Sequence, residues 1–93
     1  MNLTGEQLEQ LELMAGLFFS VREIMIALEL PLHMQTDFED ILSLDASSPI
    51  SLAYHKGRLT SQAELRQSIK QAALNGSNPA QLTMIEFFNN SKQ

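Results

Sequence analysis

Tyr54-His-Lys-Gly-Arg-Leu-Thr-Ser-Gln-Ala-Glu-Leu-Arg-Gln-Ser-Ile-Lys-Gln-Ala-Ala-Leu-Asn-Gly-Ser-Asn-Pro-Ala80 decides how the chain folds, because it holds four of the six Lys and Arg residues and the clearest helix punctuation. Leu65, Ile69, Ala72 and Ala73 recur at helical spacing, while Arg66 and Lys70 stand one turn apart on a neighbouring face. Asn75-Gly76 stops the helix, since glycine enters the left-handed conformation at little cost. Asn78-Pro79 then offers a cap and a first-turn proline for the next one. The stretch reads as a helical hairpin with a basic stripe, a binding surface rather than a catalytic site.

Outward from it, 93 residues suffice for one small core and not for two. An apolar fraction of 44% is that of a globular protein and argues against disorder. No apolar run reaches the roughly 18 residues of a membrane span. The N-terminus, with Glu6, Glu9 and Glu12 and no early Lys or Arg, does not read as a signal peptide. These features place the chain in the cytoplasm. Zero cysteines removes disulfides, thiolate metal sites and a cysteine nucleophile together. The net charge of −5 is unevenly spread: residues 1–45 hold nine acids and one base, residues 46–93 two acids and five bases. That asymmetry suggests a division of labour or head-to-tail self-association. Solvated helix faces explain it equally well.

The remaining punctuation predicts an all-α fold, a small domain of five to six short helices. Residues 1–45 read as an acidic, three-helix, helix-turn-helix-like part and residues 46–93 as the hairpin with the basic stripe, the two making one continuous domain. Thr4-Gly-Glu-Gln7 fits a capping box, opening a helix over Gly5–Ala15 with Leu8, Leu11, Ala15 and Phe18 inward and Gly16 as its end. Ser20-Val-Arg-Glu23 is a second box, with Phe19 and Ile24 placed as a hydrophobic staple. Ile24, Ala27 and Leu28 face the core, Met25 and Ile26 the far side, and Pro31 stops the helix by Leu30. Leu32 to Gln35 reads as a connection. Thr36 or Asp37 then caps a third helix through Leu44, with Phe38, Ile41 and Leu42 buried. Ser48-Pro49 starts a fourth. Gly57 either breaks it, with Thr60 or Ser61 recapping and Glu64 completing a box with Ser61, or is tolerated within one long helix; the break is the favoured of the two, because interior glycine costs about 1 kcal/mol against alanine. The last helix, Pro79–Asn89, carries Leu82, Ile85 and Phe88 on one face with Met84 and Phe87 beside them, before a polar tail that frays.

Signals for catalysis are sparse. His33 and His55 lie on different segments, without a second ligand at helical spacing. Asp37, Glu39 and Asp40 lack the twelve-residue calcium-loop pattern and read as a solvated helix start. No glycine-rich phosphate loop or nucleophile elbow is present. The expectation is a non-enzyme without metal or cofactor.

Gly16-Leu-Phe-Phe-Ser-Val-Arg-Glu-Ile-Met-Ile-Ala-Leu-Glu-Leu30, followed by a turn and the Phe38 helix, has the order of a helix-turn-helix. It resembles the Gly-hydrophobic-Ser/Thr-x-x-Glu-Ile-Ala-x-x-Leu-Gly opening of many such domains, with Met25 and Glu29 where alanine and glycine are usual. Together with Ala53-Tyr-His-Lys-Gly-Arg58, Glu64-Leu-Arg66 and Ala72-Ala-Leu-Asn-Gly-Ser-Asn-Pro-Ala80, the chain over residues 4–88 resembles the small terminase subunits of tailed phages and prophages. The resemblance implies a protein that binds double-stranded DNA at the packaging start, assembles into a homo-oligomer, and regulates a separate large ATPase and nuclease subunit. Three carboxylates on the candidate recognition helix repel phosphates. Phosphate contact is therefore expected from Lys56, Arg58, Arg66 and Lys70, with Arg22 secondary and Tyr54 and His55 assisting; such contacts position without specifying sequence. Phe19, Met25, Ile26 and Phe87 are the candidate interface residues. A helical protein-interaction or oligomerisation module without DNA binding is the alternative.

Overall fold

The computed structural model describes residues 1–91 and contains five helices and, among those residues, no strand: α1 (Gly5–Gly16), α2 (Val21–Ala27), α3 (Leu32–Leu44), α4 (Pro49–Leu74) and α5 (Asn78–Asn90). The chain divides into two compact units, Met1–Ser61 and the residues from Gln62 onward. The division falls within α4, whose Ile50, Ala53 and Tyr54 pack in the core of the first unit.

The caps begin the helices where local chemistry directs. Thr4 Oγ1 accepts from Gln7 N at 3.1 Å and Gln7 Oε1 from Thr4 N at 2.9 Å. Ser20 and Glu23 repeat the arrangement at 3.1 and 3.0 Å. These bonds to the Ser20 backbone and hydroxyl hold the exposed Glu23 carboxyl below its ordinary pKa. Ser48 Oγ accepts from Ser51 N at 3.1 Å ahead of Pro49. The cap of α5 is Ser77, not Asn78, with Oγ accepting from Ala80 N at 3.4 Å.

Three helices end in the same way. After α1, α2 and α4 a residue takes the left-handed conformation: Phe18 (φ 62), Glu29 (φ 56) and Gly76 (φ 97). In each case its N–H and the next one reach back to the last turn: Phe18 to Ala15 O and Phe19 to Met14 O, Glu29 to Ile26 O and Leu30 to Met25 O, Gly76 to Ala73 O and Ser77 to Ala72 O. This is the Schellman closure. Two of the three pivots are not glycine, so the stop after α1 is Phe18, and Gly16 lies inside the helix.

Two boundaries differ from the sequence reading. α3 starts at Leu32, because Pro31 (φ −59, ψ 151) is an extended N-cap that needs no side-chain acceptor. Gln35 Nε2 ties the first turn to Leu30 O at 3.2 Å. Second, α4 runs unbroken for 26 residues through Gly57. Gly57 is buried against α1: a Cβ there would lie 2.1 Å from the Glu12 carbonyl oxygen, and one on Gly16 3.1 Å from the Gly57 carbonyl oxygen. The glycine is a point of close helix contact, not a break.

In the first unit the core is Leu11, Ala15, Ile24, Met25, Leu28, Leu30, Phe38 and Ile50. Ser51, fully buried, donates from Oγ to Ile41 O at 2.9 Å and so fastens α4 to α3. Phe18 was expected inside and is 47% exposed, because its left-handed backbone turns it out of the α1 stripe. Met25 was expected on the far side, yet is only 3% exposed.

In the second unit α5 folds back on the end of α4. Gln81 Nε2 bonds Ala73 O at 3.1 Å, and Arg66 lies over Phe87. The half-buried face of α5 is Ala80, Thr83, Met84 and Phe87, whereas Leu82, Ile85 and Phe88 are 64%, 54% and 60% exposed, the reverse of the expected orientation. Leu65, first of the apolar residues at helical spacing on this part of α4, is 55% exposed. α5 extends to Asn90, so the tail expected to fray from Asn89 is partly helical; its last two residues lie outside the described ones.

Candidate nucleic-acid interface

The five cations expected to meet phosphate are divided between the units: Arg22, Lys56 and Arg58 belong to the first, Arg66 and Lys70 to the second. In the first unit Tyr54 and Arg58 are one helical turn apart on α4, and the Arg58 Nη1 donates to Tyr54 Oη at 3.2 Å. The guanidinium centre lies 5.3 Å from the Phe18 ring centroid and 5.6 Å from that of Tyr54. Ring faces attract a cation without cancelling its charge. Arg58 is thus half-buried and oriented, with no carboxylate partner among the described residues and four N–H donors uncommitted to Tyr54.

Tyr54 meets His55 edge-on, ring centroids 5.2 Å apart, and His55 is exposed. Lys56 differs from Arg58 in its partner, Glu12 Oε1 at 3.8 Å, with side chains 74% and 42% exposed. Such a solvated pair contributes about 0.5 kcal/mol or less and yields readily to a stronger anion. Arg22 is exposed in the first turn of α2, without an ion pair among the described residues.

In the second unit Arg66 stacks closely on Phe87, its guanidinium carbon 4.3 Å from the ring centroid. Lys70 is exposed and without an ion pair among the described residues. Arg66 and Lys70 are therefore one supported cation and one solvated cation a turn apart on α4.

Of the expected interface residues, Met25 belongs instead to the buried core cluster, at 3% exposure. Ile26 is 63% and Phe19 37% exposed, while Phe87 is half-buried beneath Arg66. Sequence reasoning missed Phe18 as the support for Arg58. The signal was faint: an aromatic two residues past Gly16, with nothing local to mark a left-handed backbone.

On α3, Asp37, Glu39 and Asp40 are all exposed, flanked by Leu32 and Leu44 at 84% and 82% exposure. Among the described residues no three His, Asp or Glu gather as a metal site, and no helix is long and apolar enough to cross a membrane. No protein-family model matches the chain, and neither a search of curated proteins nor one of solved structures finds a match.

Proposed function

We infer that the chain is a non-catalytic DNA-binding adapter of the terminase small-subunit kind, one that engages DNA for packaging and acts on a separate ATPase and nuclease subunit. The observation that carries this reading is the state of the α4 cations. Acids outnumber bases eleven to six in this chain, yet Arg58, Arg66 and Lys70 have no carboxylate partner among the described residues. Two of the three are held on aromatic rings instead. A guanidinium kept oriented with its charge uncancelled suits a phosphate, which it meets through two parallel N–H donors. Further support comes from Glu29, left-handed at the position where the helix-turn-helix run has glycine.

The contacts are to the backbone and read no sequence. Titration of labelled duplex DNA at several salt concentrations tests them. Three to four phosphate contacts give a log–log slope of about −3, and each cation changed to Ala lowers its magnitude by about 1. Binding that is absent, or unchanged by salt, refutes the adapter reading.

A second reading is a protein-interaction module without DNA binding. It is favoured by the first unit, where nine acids face three bases over residues 1–61 and three carboxylates stand on the helix in the recognition position. On that reading the same titration shows no complex at any salt concentration.

A further inference from the structure

We propose that Phe18 and Arg58 form a stacking site for an unpaired DNA base, so that the chain prefers a duplex with a single-stranded end to a continuous one. The proposal deepens the reading that the α4 cations meet DNA phosphates, and it rests on that reading.

Three rings and one guanidinium gather in the first unit. Arg58 lies against Phe18 and Tyr54, at 5.3 and 5.6 Å, and Tyr54 meets His55 edge-on at 5.2 Å. Tyr54 is half-buried, whereas Phe18 is 47% exposed even with Arg58 over its ring. Its backbone is left-handed (φ 62), a conformation that bulky side chains seldom take. The closure after α1 therefore holds a large apolar ring in solvent, at a conformational cost and beside a cation. Phosphate contact alone does not call for that ring. A base does, because bases stack on aromatic faces while neighbouring cations hold their phosphates.

Charge says which DNA presents such a base. Inside a duplex each base is covered by its neighbours, and its face is reached only at an end or in an unpaired segment. A duplex also carries one phosphate per ~1.7 Å of axis, and a single strand about half that density. Residues 1–61 hold nine acids and three bases, and one of these bases, Lys56, is shared with Glu12. Such a unit repels an extended duplex more than a short single strand, whose stacked base adds attraction that does not depend on charge. The uncommitted N–H donors of Arg58 then take the phosphate next to that base.

Fluorescence anisotropy of three labelled DNAs over a range of salt tests the site: a blunt duplex, the same duplex with a short thymidine tail, and one whose tail is abasic. The thymidine tail is expected to bind about tenfold tighter than the abasic one, a ratio that holds while salt weakens all three complexes. Phe18→Asn removes the ring where asparagine accepts the left-handed backbone, so the fold is kept and the ratio falls to about one. Equal, salt-dependent binding of the three DNAs overturns the stacking site and leaves the adapter reading standing. A tail that binds as well without its bases overturns the site too, as does a ratio that survives Phe18→Asn. No complex with any of the three overturns the adapter reading, and the stacking site with it.

Discussion

Gly57→Ala sets two physical effects against each other, and the structure says which wins. By helix propensity alone, alanine in the interior of a 26-residue helix is worth about 1 kcal/mol over glycine. The added methyl, however, arrives 2.1 Å from the Glu12 carbonyl oxygen, 2.9 Å from its carbon and 3.2 Å from its Cα. All three atoms are backbone, so no rotamer change relieves the clash. Restoring an ordinary contact of about 3.5 Å moves α1 back by more than 1 Å. A gap of that size forfeits a quarter to a half of the dispersion energy of the contacts it opens. The contacts at risk belong to the fully buried Leu11 and Ala15, on the same helix as Glu12. Overpacking on this scale costs about 1–3 kcal/mol and more when backbone must shift, which outweighs the propensity gain. The net expectation is a loss of about 2 kcal/mol, or roughly 10 °C in melting temperature for a chain of this size. Thermal and urea unfolding followed by circular dichroism at 222 nm, at one fixed protein concentration, measures it. Gly5→Ala, with nothing within 4 Å of the new methyl, is the control and melts at or slightly above the parent temperature. A Gly57→Ala variant that melts at or above the parent temperature refutes the close-contact argument and returns the glycine to a merely tolerated position.

Two further outcomes follow from the helix ends. Glu29→Gly relieves a left-handed residue that costs roughly 1–2 kcal/mol and adds about 0.5–1 kcal/mol of unfolded-state entropy, so its urea midpoint is equal to or above the parent's; a loss above about 1 kcal/mol contradicts the assignment of Glu29 as the pivot. Glu23 has a folded pKa below its unfolded one, so its contribution is fully present above the unfolded value of about 4.3 and is lost as pH falls through the folded value. Glu23→Gln, compared with the parent by urea unfolding between pH 7 and 3, should show a stability difference that shrinks across that window; a difference constant with pH removes the cap's electrostatic part.

The legible parts of this fold were those written in neighbouring residues. Thr4 with Gln7, Ser20 with Glu23 and Ser48 with the amide of Ser51, just past Pro49, each satisfy helix-end amides within three positions, and all three caps appear where the spacing predicts them. The apolar periods of α1–α3 likewise locate Leu11, Ala15, Ile24 and Phe38 in the core. Less legible were the closures by Phe18 and Glu29, where reverse hydrogen bonds and packing hold residues that have no intrinsic liking for a left-handed backbone.

For the candidate site, charge and spacing named Arg58, Arg66 and Lys70, but not the company they keep. Phe18 reaches Arg58 from 40 positions away, and Phe87 reaches Arg66 from 21. Gly57 shows the same limit from the other side: its type is a helix breaker on local grounds, and its meaning comes from Glu12 across a helix contact. The sequence by itself determined an all-helical chain, its caps and an uneven charge. Only the tertiary structure decided which glycine is a contact, which cations rest on rings, and which face of α5 is left apolar and uncovered. The physical reason is range: capping and periodicity act within one or two turns, whereas close approach and burial depend on residues that the fold brings together from far along the chain.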